Sequence, residues 1–102
     1  MIHVLATIDL RPNTRERFLE ELRGIVPEVR AETGCLEYGA AVDLPTDLPA
    51  QPAIRADAAV IVEKWTDVDA LRAHLVAPHM KAYRERVRPY VVRSTLHVLD
   101  PA

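Results

Sequence analysis

The 102-residue chain lacks several features that define common classes of protein. A single cysteine, Cys35, excludes an internal disulfide and any zinc or iron–sulfur centre built from several thiolates of one chain. Three glycines, none in a glycine-rich run, exclude a phosphate-cradling loop. There is no basic run, and 13 Lys+Arg against 15 Asp+Glu give a net charge of -2, which argues against nucleic acid as a partner.

Long apolar segments are missing as well. The longest uninterrupted one, residues 58–62, is far shorter than the roughly 20 residues that span a bilayer. The N-terminal residues do not show the basic-then-apolar pattern of a secretion signal, so we expect a cytoplasmic protein without a membrane partner. Hydrophobic residues at 49% and charged residues at 27% are typical of one folded domain, here residues 1–102. A chain this short buries only part of its apolar surface, which favours pairing with a second copy.

Hydrophobic periodicity predicts the element order βαββαβ. Apolar residues alternate over 2–10, 35–43, 58–65 and 91–99, which predicts four strands. A stripe at helical spacing predicts a helix between the first two strands, kinked by Pro27 and ended by Gly34. Two shorter helical segments that meet at Pro78 precede the last strand. Residues 44–57 are predicted to form a loop that acts as a lid or an arm.

This order predicts a ferredoxin-like α+β fold, in which the helices cover one face of a four-stranded antiparallel sheet. The other face would be uncovered, and we expect it to carry Ile61, Glu63 and Trp65 or their counterparts. Exposed apolar surface costs ~25 cal/mol per Å². A second copy packed face to face would cover it and form a dimeric α+β barrel, with space for a small ligand between sheet and helices.

Four segments resemble the antibiotic biosynthesis monooxygenase family, in particular its quinol-monooxygenase-like members. They are the short first strand, residues 30–38 with the sequence RAETGCLEY, the Glu-x-Trp of the third strand, and the His-x4-His of residues 74–79. The resemblance covers nearly the whole chain. It implies a homodimer that oxidises polycyclic or quinol-like aromatics with dioxygen, without a metal, flavin or haem. The deprotonated substrate would itself reduce dioxygen, so the protein supplies an apolar pocket, orientation and a base.

The candidate catalytic residues are His74, His79 and Glu63. Histidine has an unperturbed pKa of about 6.5 and can take a proton near neutral pH, although either histidine could instead pack a helix. His74 lies at the border of the apolar stripe that contains Leu71. A carboxylate inside a closed interior must be paired or protonated. Glu63 is therefore a proton acceptor or half of an ion pair, with Arg93 or an arginine of a second copy.

The candidate substrate-binding residues are aromatic, hydroxylic or apolar. Trp65 can form an aromatic wall for a planar substrate, or be part of the core or a dimer interface. Thr7, Tyr38 and Tyr83 can donate hydrogen bonds to a bound oxygen, and the alternative for each is simple packing. Leu71 would add apolar surface to the same pocket.

Some residues differ from those at the same positions in relatives with other activities. Thr7, His74 and Arg84 occupy positions where haem-degrading relatives have Asn, Trp and His, which argues against haem breakdown. Ile61 occupies the position of a polar amide in the antibiotic-pathway oxygenases, which argues against polyketide substrates but keeps Ile61 as a substrate-binding candidate.

Two alternatives to a cofactor-independent oxygenase follow from the sequence. Glu63, His74 and His79 could form a two-histidine, one-carboxylate iron site. The five-residue separation of the histidines, with Pro78 between them, argues against a shared metal, for which a helix favours i, i+4. The other alternative is a non-catalytic dimeric domain that binds a small aromatic, since no nucleophile, base and orienting residue are recognisable together.

Overall fold

The computed structural model describes residues 1–102 and confirms the predicted order of elements, with two helices between the third and fourth strands. The elements are β1 (Ile2–Leu10), α1 (Arg15–Arg30), β2 (Cys35–Ala41), β3 (Ala58–Trp65), α2 (Val68–Leu75), α3 (Pro78–Val87) and β4 (Val91–Leu99). None of the helices has the length and apolar character that crossing a membrane requires. The fold is the ferredoxin-like α+β arrangement that the sequence predicts.

The four strands form one antiparallel sheet in the order β2-β3-β1-β4. The two central strands, β1 and β3, are separated in the chain by α1 and β2, and the crossovers place the helices on one face. Phe18, Leu22 and Val29 of α1 are fully buried against this face. The main core is thus the layer between helices and sheet.

The face of the sheet that the helices cover carries Ile61, Glu63 and Trp65, which the sequence analysis expected on the uncovered face. Val4 of β1 and Tyr38 of β2 both lie opposite Glu63, and all three are buried beneath the helices. Ile61 and Trp65 share this face and are buried as well. The prediction that Ile61, Glu63 and Trp65 lie on the uncovered face was therefore wrong. Because β3 alternates between two largely apolar faces, its pattern does not indicate which of them receives the helices.

The opposite side of the sheet, here called the outer face, has an apolar centre and a charged border. Its centre consists of small, apolar and hydroxylic residues: Leu5, Thr7, Gly39, Ala41, Val60 and Val62. Lys64 pairs with Glu37 at 2.9 Å on one border, and Arg93 pairs with Asp9 at 3.0 Å on the other. An apolar centre with a polar rim is typical of a protein contact surface.

Strand β4 is exposed along nearly all of its length. Leu96 and Val98 lie opposite residues of β1 on the helix side of the sheet, yet 43% and 49% of their surface is accessible. The helices therefore cover the sheet only as far as β1.

The turn between α1 and β2 is fixed by Gly34. Its φ of +84° lies in the left-handed region that glycine adopts without strain. A Cβ at this position would lie 2.6 Å from both the Ala70 Cβ and the Thr66 Oγ1, so the turn passes directly against the start of α2. Because α1 ends at Arg30, earlier than predicted, Glu32 lies in this turn and faces α2 and α3.

The proline-containing segment after β2 forms no helix or strand between residues 42 and 57. Its ends are joined by Arg55, which donates Nε and a terminal nitrogen to the two carboxylate oxygens of Asp43 at 3.0 and 2.8 Å. Leu44 and Leu48 on this segment are 72% and 64% exposed. The segment is a loop closed by this ion pair, with apolar side chains on its surface.

Candidate active site

A cavity of about 360 Å³ lies between the helix-covered face of the sheet and the helices. Its walls are mostly apolar, and its titratable or hydroxyl-bearing lining residues are Tyr38, Glu63, His74, Tyr83, Arg84, Arg88 and Ser94. Ser94 and Leu96 of β4 line the cavity and are exposed, as are Arg84 of α3 and Arg88 just after it, so the cavity opens between α3 and β4. A second depression of about 400 Å³, between α1 and β2, is lined by no histidine, carboxylate or hydroxyl group.

Glu63 places a carboxyl group in the wall of the cavity. It is 4% exposed, and its Oε1 accepts a hydrogen bond from the indole Nε1 of Trp65 at 2.9 Å. Burial raises the pKa of Glu63 to about 7; the Trp65 hydrogen bond opposes this rise and the negative charge of Glu32 adds to it. No cation pairs with Glu63, and Arg93, its expected partner, pairs with Asp9 instead. Glu63 can therefore both accept and donate a proton near neutral pH.

His74 of α2 lines the same cavity and is 2% exposed. Its Nδ1 lies 2.9 Å from Oε2 and 3.1 Å from Oε1 of Glu32. A carboxylate only accepts hydrogen bonds, so Nδ1 carries a proton and Nε2, which has no hydrogen-bond partner in the chain, keeps a free lone pair. Burial lowers the pKa of His74, and the hydrogen bond and charge of Glu32 oppose that effect. A neutral imidazole with an unused acceptor nitrogen can accept a proton.

Aromatic rings hold the His74 ring in place. The Trp65 ring centroid lies 4.7 Å from that of His74, and the Tyr38 ring packs edge-on at 5.4 Å. Each of these aromatic residues is essentially inaccessible to solvent. The orientation of the imidazole is therefore fixed by packing as well as by its hydrogen bonds.

His79 of α3 lies outside the cavity but is joined to His74 through Glu32. Its Nε2 is 2.7 Å from Oε2 of Glu32, and its Nδ1 is 3.8 Å from the Glu28 carboxylate. The side chain of His79 is 22% exposed, whereas that of Glu32 is 14% exposed. The sequence analysis missed Glu32, because its partners are 42 and 47 residues further along the chain and no local pattern links them.

Two tyrosine hydroxyls complete the polar lining. Tyr38 and Tyr83 both line the cavity, and neither hydroxyl forms a hydrogen bond within the chain. Burial raises the pKa of both phenols, so both remain protonated and can donate a hydrogen bond to a bound oxygen atom.

The remaining candidates take other places. Ile61 lines the cavity. Trp65 and Leu71 are buried behind its wall without lining it, so Trp65 contacts the site through Glu63 and His74. Thr7 lies on the outer face, opposite Val60, and the sheet separates it from the cavity. The odd-numbered residues of β1 all lie on the outer face, because side chains alternate between the two faces along a strand.

The candidate metal ligands are not assembled into a binding site. No group of three or more histidine, cysteine, aspartate or glutamate side chains is arranged to hold a metal ion. His79 and His74 direct one ring nitrogen each to the same carboxylate of Glu32, and Glu63 is bound to Trp65.

The fold and the cavity define a class of protein: a small ferredoxin-like α+β domain with a mostly apolar cavity that is lined by a buried carboxyl group and a buried imidazole. The chain belongs to the antibiotic biosynthesis monooxygenase family, whose sequence profile matches residues 1–86. It is similar to the probable quinol monooxygenase YgiN of Escherichia coli strain K12, with 37% identity over 99% of this chain and 98% of that one. The resemblance predicted from the sequence is confirmed, and it supports monooxygenase activity.

Solved structures show the same fold. The crystal structure of PA3566 from Pseudomonas aeruginosa matches with a TM-score of 0.81 and 25% identity, over 99% of this chain and 93% of that one. The structure of Rv0793 from Mycobacterium tuberculosis matches with a TM-score of 0.78 and 26% identity, over 99% and 94%.

Proposed function

We propose that the chain is a cofactor-independent monooxygenase that oxidises a small aromatic or quinol-type substrate with dioxygen, in a cavity of each subunit of a homodimer. The observation that carries this proposal is the free Nε2 of His74, on a residue that lines an apolar cavity together with the carboxyl group of Glu63. A cavity of about 360 Å³ lies at the small end of the range for ligand pockets, which suits a one- or two-ring aromatic.

The first step is removal of a proton from a substrate hydroxyl. His74 Nε2 accepts that proton, and the adjacent Glu32 carboxylate stabilises the resulting imidazolium. Tyr38 and Tyr83 donate hydrogen bonds to the substrate oxygen as it gains negative charge. The product of this step is an electron-rich phenolate in a mostly apolar cavity.

The second step uses the substrate as the reductant. The phenolate passes one electron to dioxygen, which gives a substrate radical and superoxide, and their recombination forms a bond between carbon and oxygen. Protonation of the peroxide and loss of water then leave a carbonyl at a ring carbon that carried two hydrogens in its keto form. One atom of dioxygen is retained, the other leaves as water with those two hydrogens, and the four electrons that dioxygen accepts all come from the substrate. Glu63, whose pKa is about 7, can donate the proton that the peroxide requires.

Two surfaces support the homodimer. The outer face has an apolar centre and a charged border, and β4 exposes Leu96 and Val98 beside the cavity mouth. A second copy packed on the outer face would remove its apolar centre from water, whereas Leu96 and Val98, on the helix side of the sheet, would need a contact along β4. Exposed Leu44 and Leu48 make the segment 42–57 an arm in this assembly and not a lid, since none of its residues lines the cavity.

Oxygen uptake with a panel of hydroquinones and naphthols tests the proposed function. We expect His74→Ala to lower kcat by a factor of about 10² or more. His79→Ala should lower it less, because His79 acts through Glu32. Arg72→Gln, an exposed change on the same helix as His74, serves as the control and should leave the rate unchanged.

The stoichiometry and the binding of ligand separate the alternatives. Monooxygenation incorporates one atom of labelled dioxygen into product, whereas simple dehydrogenation of a quinol releases hydrogen peroxide without incorporation. Saturable quenching of Trp65 fluorescence by a menadione-like quinone, without oxygen uptake for any substrate of the panel, would identify the non-catalytic binding domain instead.

A further inference from the structure

The geometry points to Glu32 as the positioning residue of the site: it fixes His74 in the one tautomer whose free nitrogen faces the cavity, and His79 holds Glu32 in place by binding the same carboxylate. This inference rests on the proposed function, in which His74 is the base. It assigns His79 to a supporting role and Glu32, which the sequence did not indicate, to a central one.

The shared carboxylate defines the protonation of both rings. Oε2 of Glu32 lies 2.9 Å from Nδ1 of His74 and 2.7 Å from Nε2 of His79, and Oε1 lies 3.1 Å from the same Nδ1. Since an ionised carboxylate has no proton to donate, each of these ring nitrogens must be the donor. In each neutral ring the other nitrogen then has no proton. For His74 this is Nε2, on a residue that lines the cavity. For His79 it is Nδ1, which faces Glu28 near the surface.

The backbone of the turn holds Glu32 at this point. Its amide donates to the Val29 carbonyl at 2.9 Å, and its carbonyl accepts from the Cys35 amide at 3.1 Å. The amide of Thr66 binds the Gly34 carbonyl at 2.9 Å, which ties the turn to the start of α2. Glu32 therefore reaches His74 from a segment that cannot move away from α2 without breaking the Thr66–Gly34 hydrogen bond and the pairing of Cys35 with Trp65.

Charged groups from each neighbouring element determine how readily His74 accepts a proton. Glu32 of the turn favours the imidazolium, whereas positive charge on His79 or Arg84 of α3 disfavours it. Tyr38 of β2 stays neutral, and Glu63 of β3 adds negative charge to the cavity when it ionises. Because the side chain of His79 shares the Glu32 carboxylate with His74, a change at His79 alters the electrostatic surroundings of the His74 ring.

The test measures the His74 ring directly, in the ligand-free protein, by nitrogen-15 NMR at pH 8. In the wild type we expect a protonated Nδ1 and an unprotonated Nε2. In Glu32→Ala the Nε2 signal should move towards the protonated form, because no acceptor then fixes the tautomer. Glu32→Leu, which is similar in size and has no hydrogen-bond acceptor, provides the same measurement if the alanine variant unfolds; Glu32→Gln does not, because its amide oxygen can still accept from Nδ1. Glu20→Gln, an exposed change on α1, is the matched control and should leave both signals in place.

Kinetics and pH dependence supply readouts that a purely structural role would not move. We expect Glu32→Gln to lower kcat for oxygen uptake by about 10-fold to 10³-fold with KM changed less than about threefold, and Glu32→Asp to recover part of the loss. His79→Gln keeps a neutral donor for Glu32, so its rate at pH 8 should exceed that of His79→Ala. His79→Gln should also shift the acid limb of the pH profile to higher pH, because it removes the positive charge that opposes protonation of His74. An acid limb that is unchanged in both His79 variants contradicts the coupling.

The outcomes for the two proposals are separable. If the His74 ring signals in Glu32→Ala and Glu32→Leu equal those of the wild type, the positioning role is overturned, whatever the activity. If the signals shift as expected but the wild type consumes no oxygen with any substrate, the proposed function fails while the positioning role stands.

Discussion

The indole N–H of Trp65 lies 2.9 Å from Oε1 of Glu63, and both side chains are buried on the same face of β3. Two residues apart on a strand, they project to the same side, so the longer ring can reach back to the carboxyl group. This hydrogen bond opposes the effect of burial on the pKa of Glu63, which would otherwise rise further. Trp65 thus acts on the cavity without lining it.

Glu63→Gln should remove a pH-dependent part of the stability. In the folded chain the pKa of Glu63 rises from 4.5 to about 7, so between these values the folded state holds a proton that the unfolded state has lost. The wild type is therefore stabilised by this group below about pH 4.5, and the contribution is lost as the pH rises through 7. The wild-type free energy of unfolding, minus that of the variant, should decrease between pH 4.5 and 8 by at most about 3 kcal/mol.

Urea unfolding followed by Trp65 fluorescence measures this difference. Subtracting the free energy of unfolding of the variant cancels the contribution of His74, because both proteins contain this residue. The His74 contribution has the opposite sign, since its lowered pKa makes stability rise with pH over its own range. A difference that is constant across the pH series would show that Glu63 titrates at its ordinary value.

Tyr83→Phe should weaken substrate binding while leaving the fold intact. The Tyr83 hydroxyl has no hydrogen-bond partner in the chain, so its removal leaves no unpaired group, and the free energy of unfolding should change by less than about 0.5 kcal/mol. Loss of one hydrogen bond to substrate, worth about 0.5 to 1.5 kcal/mol, raises KM by about 2-fold to 12-fold. Tyr38→Phe should behave alike, and Tyr90→Phe, outside the cavity, should not change KM.

Gly34→Ala should destabilise the chain by about 2 to 4 kcal/mol. The new Cβ would meet Ala70 and the Thr66 side chain at 2.6 Å, and φ at this residue is +84°. Overpacking and left-handed backbone strain both contribute to this cost. Thermal or urea unfolding measures the change, and Gly24→Ala is the control: its Cβ meets nothing within 4 Å, so alanine in this helix should add about 0.5 to 1 kcal/mol of stability.

Val62→Asp should separate the subunits of the proposed homodimer. Val62 lies opposite Leu5 at the centre of the outer face, where a face-to-face partner would bury an unpaired carboxylate. We expect sedimentation to show a dimer for the wild type and at least a 100-fold weaker dimer for the variant, equal to about 3 kcal/mol. Val76→Asp, which is exposed beyond α2 on the helix side, should remain dimeric. A wild type that sediments as a monomer of 11.4 kDa would contradict the assembly.

Alternation and helical spacing predicted the fold well. The bounds of β1 and β3 agree with the predicted residues 2–10 and 58–65, since both strands alternate over their whole length. Strand β2 ends at Ala41 and not at residue 43, where the prolines and charges of the following segment begin. The faces of the sheet were assigned incorrectly, because periodicity separates two faces but carries no information on which one the helices cover.

The site was predicted only in part. Glu63, His74, Tyr38, Tyr83 and Ile61 line the cavity, and each has a chemical or packing character that the sequence displays. Glu32 shows no such character in the sequence, since a carboxylate in a turn after a charged helix resembles any solvated surface residue. Its importance depends on a contact with His74 across 42 residues, which only the folded chain reveals.

Glu32, His74 and His79 come from three separate segments: the turn after α1, helix α2 and helix α3. A partly folded chain in which α1 does not pack beside these helices therefore lacks the contacts that orient the His74 imidazole. We expect oxygen uptake by the proposed enzyme to return during refolding only when all three segments are packed together, so that it reports the tertiary structure and not the helix content.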